Sequence, residues 1–215
     1  MGGALKMPGG VLDALADALV VLSLALLVVR PAAWSIGLLA AQAAAVAALA
    51  VVVSHGPGAW VAVAVIGITK VVGIPLVLIW VTRRTQTADA VDWAPWAWIL
   101  GAVIVLLVRI TLPTFSAGLK ADHAVLLGTA LTVLLLGLAG MVTGRLLLGQ
   151  VIHLVAIENG LYCVGLALTG GLPAALELGA AVDLLLVVFV LAWLSHHVHR
   201  LHLPLHVDEL QQLRG

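Results

Sequence analysis

The sequence predicts an all-α fold, a polytopic integral membrane bundle of about seven transmembrane helices with almost no mass outside the bilayer. Three observations carry this. Of 215 residues, 63% are hydrophobic and only 9% are charged, whereas a soluble domain holds about 25% charged residues. The apolar residues run in unbroken stretches of Leu, Val, Ala, Ile and Gly rather than alternating, as barrel strands would. Those stretches match the roughly 20 residues that cross a 30 Å hydrocarbon layer as a helix, and a helix satisfies its own backbone hydrogen bonds in lipid.

The expected spans, in order, are Val11–Val29, Trp34–Val53, Ala59–Val81, Pro95–Leu112, His123–Val142, Leu146–Thr169 and Pro173–Val198. Breakers separate them. Arg30-Pro31 ends the first, and Ser54-His55-Gly56-Pro57-Gly58 the second. Arg83–Asp92 is the longest polar connector, followed by Pro113–Asp122 and the tight turn Thr143-Gly144-Arg145. Gly170-Gly171-Leu172-Pro173 leads into the last helix, with proline suited to a first helical turn. Trp34, Trp60, Trp80, Trp93, Trp96 and Trp193 fall near helix ends, where interfacial aromatics belong. Asp13 and Asp17 follow Lys6 closely, which speaks against a cleaved signal peptide.

Basic residues orient the bundle. With seven spans, Lys6, Lys120 and Arg109 fall on the N-terminal side, and Arg30, Arg83, Arg84, Arg145, Arg200 and Arg214 on the other. The expected topology has the N-terminus outside and the C-terminus in the cytoplasm. The formal net charge is zero, which gives no hint of a nucleic-acid partner. Cys163 stands alone, with neither a disulfide partner nor the spacing of an iron–sulfur site. No Gly-rich phosphate loop or GxSxG occurs, so chemistry on soluble substrates belongs to another subunit.

The informative residues are ionisable groups at membrane depth, each costing about 2.5–3.5 kcal/mol at a helix centre by insertion scales. Glu158 sits mid-way along the sixth span, followed by Asn159 and, one turn on, Tyr162. A desolvated carboxyl here can take and release a proton; equally, a neutral glutamic acid can bind a neighbouring helix as polar glue. Lys70 lies mid-span in the third helix, with Gly67 and Gly73 three residues to either side as candidates for close helix approach. Pro75 leaves the carbonyl of Val71 without its helical donor. Lys70 suits a proton relay or a static ion pair. Asp183 lies inside the seventh span as a second proton site, and Glu177 about a turn from its outer end.

Accessory candidates are His153 in the sixth span and Lys120, Asp122 and His123 at the start of the fifth, the latter reading as an ordinary hydrated helix start. Haem ligation lacks a second histidine at the depth of His153. His199, His202 and His206 would share a helical face only across Pro204, with no Cys or clustered carboxylate to complete a metal site. No metal and no cofactor is expected on this chain.

The C-terminal half resembles the K subunit of respiratory complex I and the C subunit of multisubunit cation/proton antiporters: three helices, intramembrane carboxylates in the last two, and a short tail. Here Arg145-Leu146-Leu147 opens the Glu158 helix, Asp183 is in the last, and the chain closes with Leu213-Arg214-Gly215. Glu158 and Asp183 each lie about one turn from where that subunit carries its carboxylates. The whole chain is similar to the hydrogenase-4 component E family. The residues that carry this are Ile68 to Leu76 with Thr69-Lys70, Thr114 to Lys120, Ile157-Glu158-Asn159-Gly160, and Leu176-Glu177-Leu178-Gly179 followed by Asp183.

The resemblance implies a four-helix part over residues 1–113, a K-like part over 114–200 and a cytoplasmic tail over 201–215. It also implies a non-catalytic subunit in the inner membrane of a prokaryote, within a group 4 hydrogenase or formate hydrogenlyase-type complex. Other membrane subunits, antiporter-like ones included, would be its partners. The membrane arm of such a complex is expected to move protons or sodium, with Glu158, Lys70, Asp183 and Glu177 on the path. Three rivals stand beside this: a cation/proton antiporter subunit without a redox arm, a purely structural scaffold, and a membrane enzyme or haem carrier.

Overall fold

The computed structural model describes residues 9–29, 31–53, 60, 63–64, 67–85, 96–144 and 146–169, with Phe189 and Trp193. Every element among them is a helix: α1 (Gly9–Val28), α2 (Ala32–Val53), a π-helical segment π1 (Gly67–Gly73) running straight into α3 (Ile74–Thr85), α4 (Ala97–Phe115), α5 (Ala121–Thr143) and α6 (Leu147–Thr169). Five of these are long and apolar enough to cross a membrane: α1, α2, α4, α5 and α6. They correspond to the first, second, fourth, fifth and sixth expected spans. The seventh expected span, Pro173–Val198, lies outside the described residues apart from Phe189 and Trp193, so the total of seven is not established.

The third expected span departs most from expectation. Its described residues Trp60, Val63 and Ala64 are helical, but seven residues of π-helix, Gly67–Gly73, interrupt the span before regular α-helix runs from Ile74. The cause is in the sequence. Pro75 has no N–H for the carbonyl of Val71, and its ring crowds that carbonyl, so the preceding turn widens to the i→i+5 pattern. A Cβ on Gly67 would meet nothing within 4 Å. Among the described residues nothing approaches Gly67 closely, and Gly67 and Gly73 bound the π segment. Arg83 and Arg84, expected in a connector, belong to α3. Likewise Pro113 is inside α4, which runs on to Phe115, because a proline near a helix C-terminus removes only one internal bond.

The turns use ordinary polar devices. Ser35 Oγ donates to the carbonyls of Val29 and Pro31, closing the α1–α2 corner. Between α4 and α5, Gly118 takes φ +100°, a left-handed conformation that glycine adopts without a Cβ penalty, and Leu119 N–H donates to Ser116 O.

Packing is most extensive between α5 and α6. These run antiparallel along a glycine seam: Gly137 lies against Ile157 and the His153 carbonyl, Gly140 against the His153 ring, and Gly160 against the Leu134 backbone. Small residues let membrane helices approach closely where no hydrophobic force drives them together. One buried cluster joins α1, α2, α5 and α6 through Leu19, Val46, Leu49, Val133, Cys163 and Leu166. A second joins α1, α2, α3 and α6 through Leu26, Leu39, Ile74, Leu78, Ile152 and Val155. The second cluster places α2 and α6 against α3, α2 also packs on π1, and the polar site lies between the two clusters.

A buried polar network centred on Lys70 and Glu158

Four helical elements each contribute a polar side chain to one continuous network. Its centre is Lys70 on π1, whose Nζ donates to Glu158 Oε2 as an ion pair and to Asn159 Oδ1 at 3.3 Å. The same ammonium lies 5.6 Å from the centroid of the Tyr162 ring, within cation–π range. Glu158, Asn159 and Tyr162 all come from α6, at i, i+1 and i+4, so a single turn of one helix surrounds most of the lysine head.

From Asn159 the network continues away from Lys70. Asn159 Nδ2 donates to Gln42 Oε1 on α2 at 3.1 Å. Gln42 Nε2 donates to Ser23 Oγ on α1 at 2.8 Å, and Ser23 Oγ donates to Leu19 O at 2.7 Å. Each step points its donor outward from the ammonium, so the dipoles of the two amides and the hydroxyl align with the field of the cation. Such a chain polarises cooperatively in a low-dielectric interior. Burying Asn159 and Gln42, both 0% exposed, is tolerated because each bonds on both sides.

The two ends of the ion pair differ in access. The Lys70 side chain is 2% exposed and that of Glu158 20%. Lys70 is therefore sealed, while Glu158 is reachable from outside the described bundle. A charge sealed this way is stable only as part of a pair with further polar contacts, here the Asn159 hydrogen bond and the face of the Tyr162 ring.

The π segment shapes this geometry. A π turn takes more residues per revolution than an α turn, which alters the direction in which Lys70 leaves its helix. Pro75, five residues on, is thus the local origin of the lysine's setting.

Of the residues expected from sequence, the structure brings Lys70, Glu158 and Asn159 together. Asp183 and Glu177 lie outside the described residues. His123 sits at the α5 start, its Nδ1 2.5 Å from the Ala167 carbonyl, and ties α5 to the far end of α6. Lys120 and Asp122 are exposed beside it. His153 is buried on α6 with its ring on Gly140. Gln42 and Ser23 were not expected as site residues. Gln42 carried a signal, since it is the only amide or ionisable residue in the 22 residues of α2. Ser23 carried almost none, because a serine can satisfy itself on its own helix.

A second polar region lies between α1, α4 and α5. A cavity of about 390 Å³ is lined there by Asp13, Asp17, Arg109, Thr129 and Thr132 with apolar neighbours. Arg109 Nη2 is 3.6 Å from Asp17 Oδ1.

Comparison with known proteins gives one consistent answer. Over 156 residues the chain is 33% identical to proteins named hydrogenase-4 component E in Escherichia coli (strain K12) and Shigella flexneri. The match covers 69% of this chain and 70% of theirs. An uncharacterized protein of Mycobacterium tuberculosis is 32% identical over 85 residues, covering 40% of this chain and 39% of its own. No family model and no solved structure matches the chain.

Proposed function

Because the chain belongs to the hydrogenase-4 component E family, we propose that it carries part of an ion path through the membrane arm of its complex, with the Lys70–Glu158 pair as the proton-handling element. It is a multi-pass membrane subunit of a group 4 hydrogenase-like assembly. The finer reading places it in the inner membrane with the C-terminus in the cytoplasm. Asp183, and secondarily Glu177, continue the path from the seventh span. Redox chemistry belongs to other subunits.

The observation that carries the reading is the asymmetry of the pair: a sealed lysine bound to a carboxylate that keeps some access. With both groups charged, the pair is neutral overall. A proton reaching the accessible Glu158 removes the partner of an ammonium that cannot reach water. In a low-dielectric setting an unpaired charge is costly, so the added proton changes the energy of the whole network and favours movement of a charge elsewhere. Asn159, Gln42 and Ser23 hold the ammonium in place without titrating. Whether the arriving ion is a proton or sodium, the coupling works by the same electrostatics.

A second reading has its own support. The chain from Lys70 to Leu19 ties together π1, α1, α2 and α6, which is what polar glue does. Two substitutions separate the readings. Glu158→Gln keeps shape and hydrogen bonding but removes the titratable proton. On the ion-path reading it lowers ion translocation per assembled complex, whereas Glu158→Leu also removes the hydrogen bond and lowers the amount of assembled complex further. If the pair is glue alone, Glu158→Gln is nearly silent in translocation and only Glu158→Leu has an effect, through lost assembly. Copurification of nickel, iron and hydrogenase activity with a tagged chain tests the setting itself. Their absence from an otherwise multisubunit complex would favour an antiporter.

A further inference from the structure

Among the described residues, the groove between α1, α4 and α5 is a second place that holds charges at membrane depth, and it uses none of the Lys70 network. Asp17 lies eight residues into α1, about 12 Å along the axis, and Arg109 six residues before the end of α4, about 9 Å. Their side chains are 69% and 72% exposed, and Asp13, one turn earlier on the same face of α1, is exposed too. Left against lipid tails, each such charge would cost a few kcal/mol.

The groove's chemistry is one-sided. Asp13 and Asp17 stand at i and i+4, where like charges repel, and Arg109 faces Asp17. Two carboxylates against one guanidinium leave one negative charge in excess. Thr129 and Thr132 do not offset it, because their hydroxyls donate to Val125 O and Gly128 O on their own helix. With those donors used, the only polar atom the two threonines can offer the groove is hydroxyl oxygen, an acceptor. Carboxylate and hydroxyl oxygens together call for a donor that carries positive charge and no acceptor, which describes a lysine or arginine side chain. The adjoining surface suits a helix. α4 is the least buried of the five long spans, and Val103, Leu106, Leu107 and Ile110 stand exposed along it.

We propose that this groove docks a transmembrane helix of a neighbouring subunit, whose lysine or arginine enters beside Asp13 and completes the charge balance of Asp13, Asp17 and Arg109. The inference uses the membership of a multisubunit assembly but not the ion path, and its test reads assembly rather than transport.

A photo-crosslinking amino acid placed at Val105, on the groove wall, is activated in the intact purified complex, and the linked peptide is mapped. The expected product joins Val105 to a transmembrane segment of a different subunit with a lysine or arginine within one turn of the linked residue. Asp13→Asn should then lower recovery of that subunit through a tag on this chain by about tenfold, equivalent to about 1.4 kcal/mol, while the chain's own amount in the membrane stays constant. Asp13→Lys should lower it further, and exchanging the partner's basic residue for glutamate should restore it. Asp13→Glu, which keeps the charge, should retain the subunit. Crosslinks only to lipid, to a second copy of this chain, or to a segment lacking a basic residue would overturn the proposal. Unchanged recovery with both Asp13→Asn and Asp13→Lys would overturn it as well. Complexes carrying Glu158→Gln should give the same crosslink whatever becomes of their ion transport.

Discussion

Replacing Gly160 by alanine should loosen the seam that sets the position of Glu158. A Cβ at Gly160 would stand 2.8 Å from Leu134 N, 2.9 Å from Leu134 Cα and 3.0 Å from its Cβ. None of these atoms lies at the end of a flexible side chain, so relief requires α5 and α6 to separate by about half an ångström to reach ordinary contact. Overpacking of this kind costs typically about 1–3 kcal/mol. For a chain of this length each kcal/mol lowers the unfolding midpoint by about 2–4 °C. A graded series makes the reasoning refutable. Gly137→Ala meets Ile157 N at 3.0 Å and Ile157 Cγ1 at 2.7 Å, so it should cost somewhat less. Gly128→Ala meets only Leu112 side-chain atoms, which can swing aside. Gly37→Ala in α2 meets nothing within 4 Å and should be neutral or slightly stabilising. Thermal unfolding of the detergent-solubilised complex, followed by loss of the intact species, reads all four. A Gly160→Ala complex as stable as Gly37→Ala would refute the close packing of α5 on α6.

Three further outcomes follow from the network and the core. Lys70→Met strands Glu158 without its cation and should reduce the amount of intact complex on native gels, with Lys70→Met/Glu158→Gln recovering part of the loss, since removing both partners is milder than removing one. Gln42→Leu cuts the link from Asn159 to Ser23 and should cost about 0.6 kcal/mol for each of the two contacts, the average for polar contacts between membrane helices; a cost above about twice the 1.7 kcal/mol maximum for one such contact would mean the link carries more than a pair of contacts. Cys163 is 0% exposed inside the first core cluster, so it should resist a membrane-permeant maleimide in the native complex and react after denaturation, and rapid native labelling would contradict that packing.

Much of this was legible in the sequence, for identifiable physical reasons. Spans show themselves because lipid allows few ways of satisfying a backbone, and five long apolar helices stand where hydropathy placed them. Lys70 and Glu158 stood out because ionised groups at that depth demand an explanation. Their pairing could not be read, since 88 residues separate them and either could have met another partner. The π segment is written locally in Pro75, yet a proline in an apolar span also permits a simple kink, and only packing decides. Ser23 could not be seen at all, and Gln42 only as a polar residue in an alanine-rich helix. Close approach at Gly67 was not legible either, because spacing from a charge says nothing about which face meets a neighbour.

If Lys70 and Glu158 act as one ion-handling unit, a double-mutant cycle on coupling will show it. Complexes with Glu158→Gln, with Lys70→Met and with both are assembled into sealed vesicles, and ions moved per pair of electrons transferred are measured for each and for the unmodified complex. Residues that act as a unit give strongly non-additive losses. Each single variant that assembles should show a lowered ratio, with the double variant no lower than the worse of the two. A normal ratio in a fully assembled Glu158→Gln complex, or losses that multiply in the double variant, would contradict a single unit.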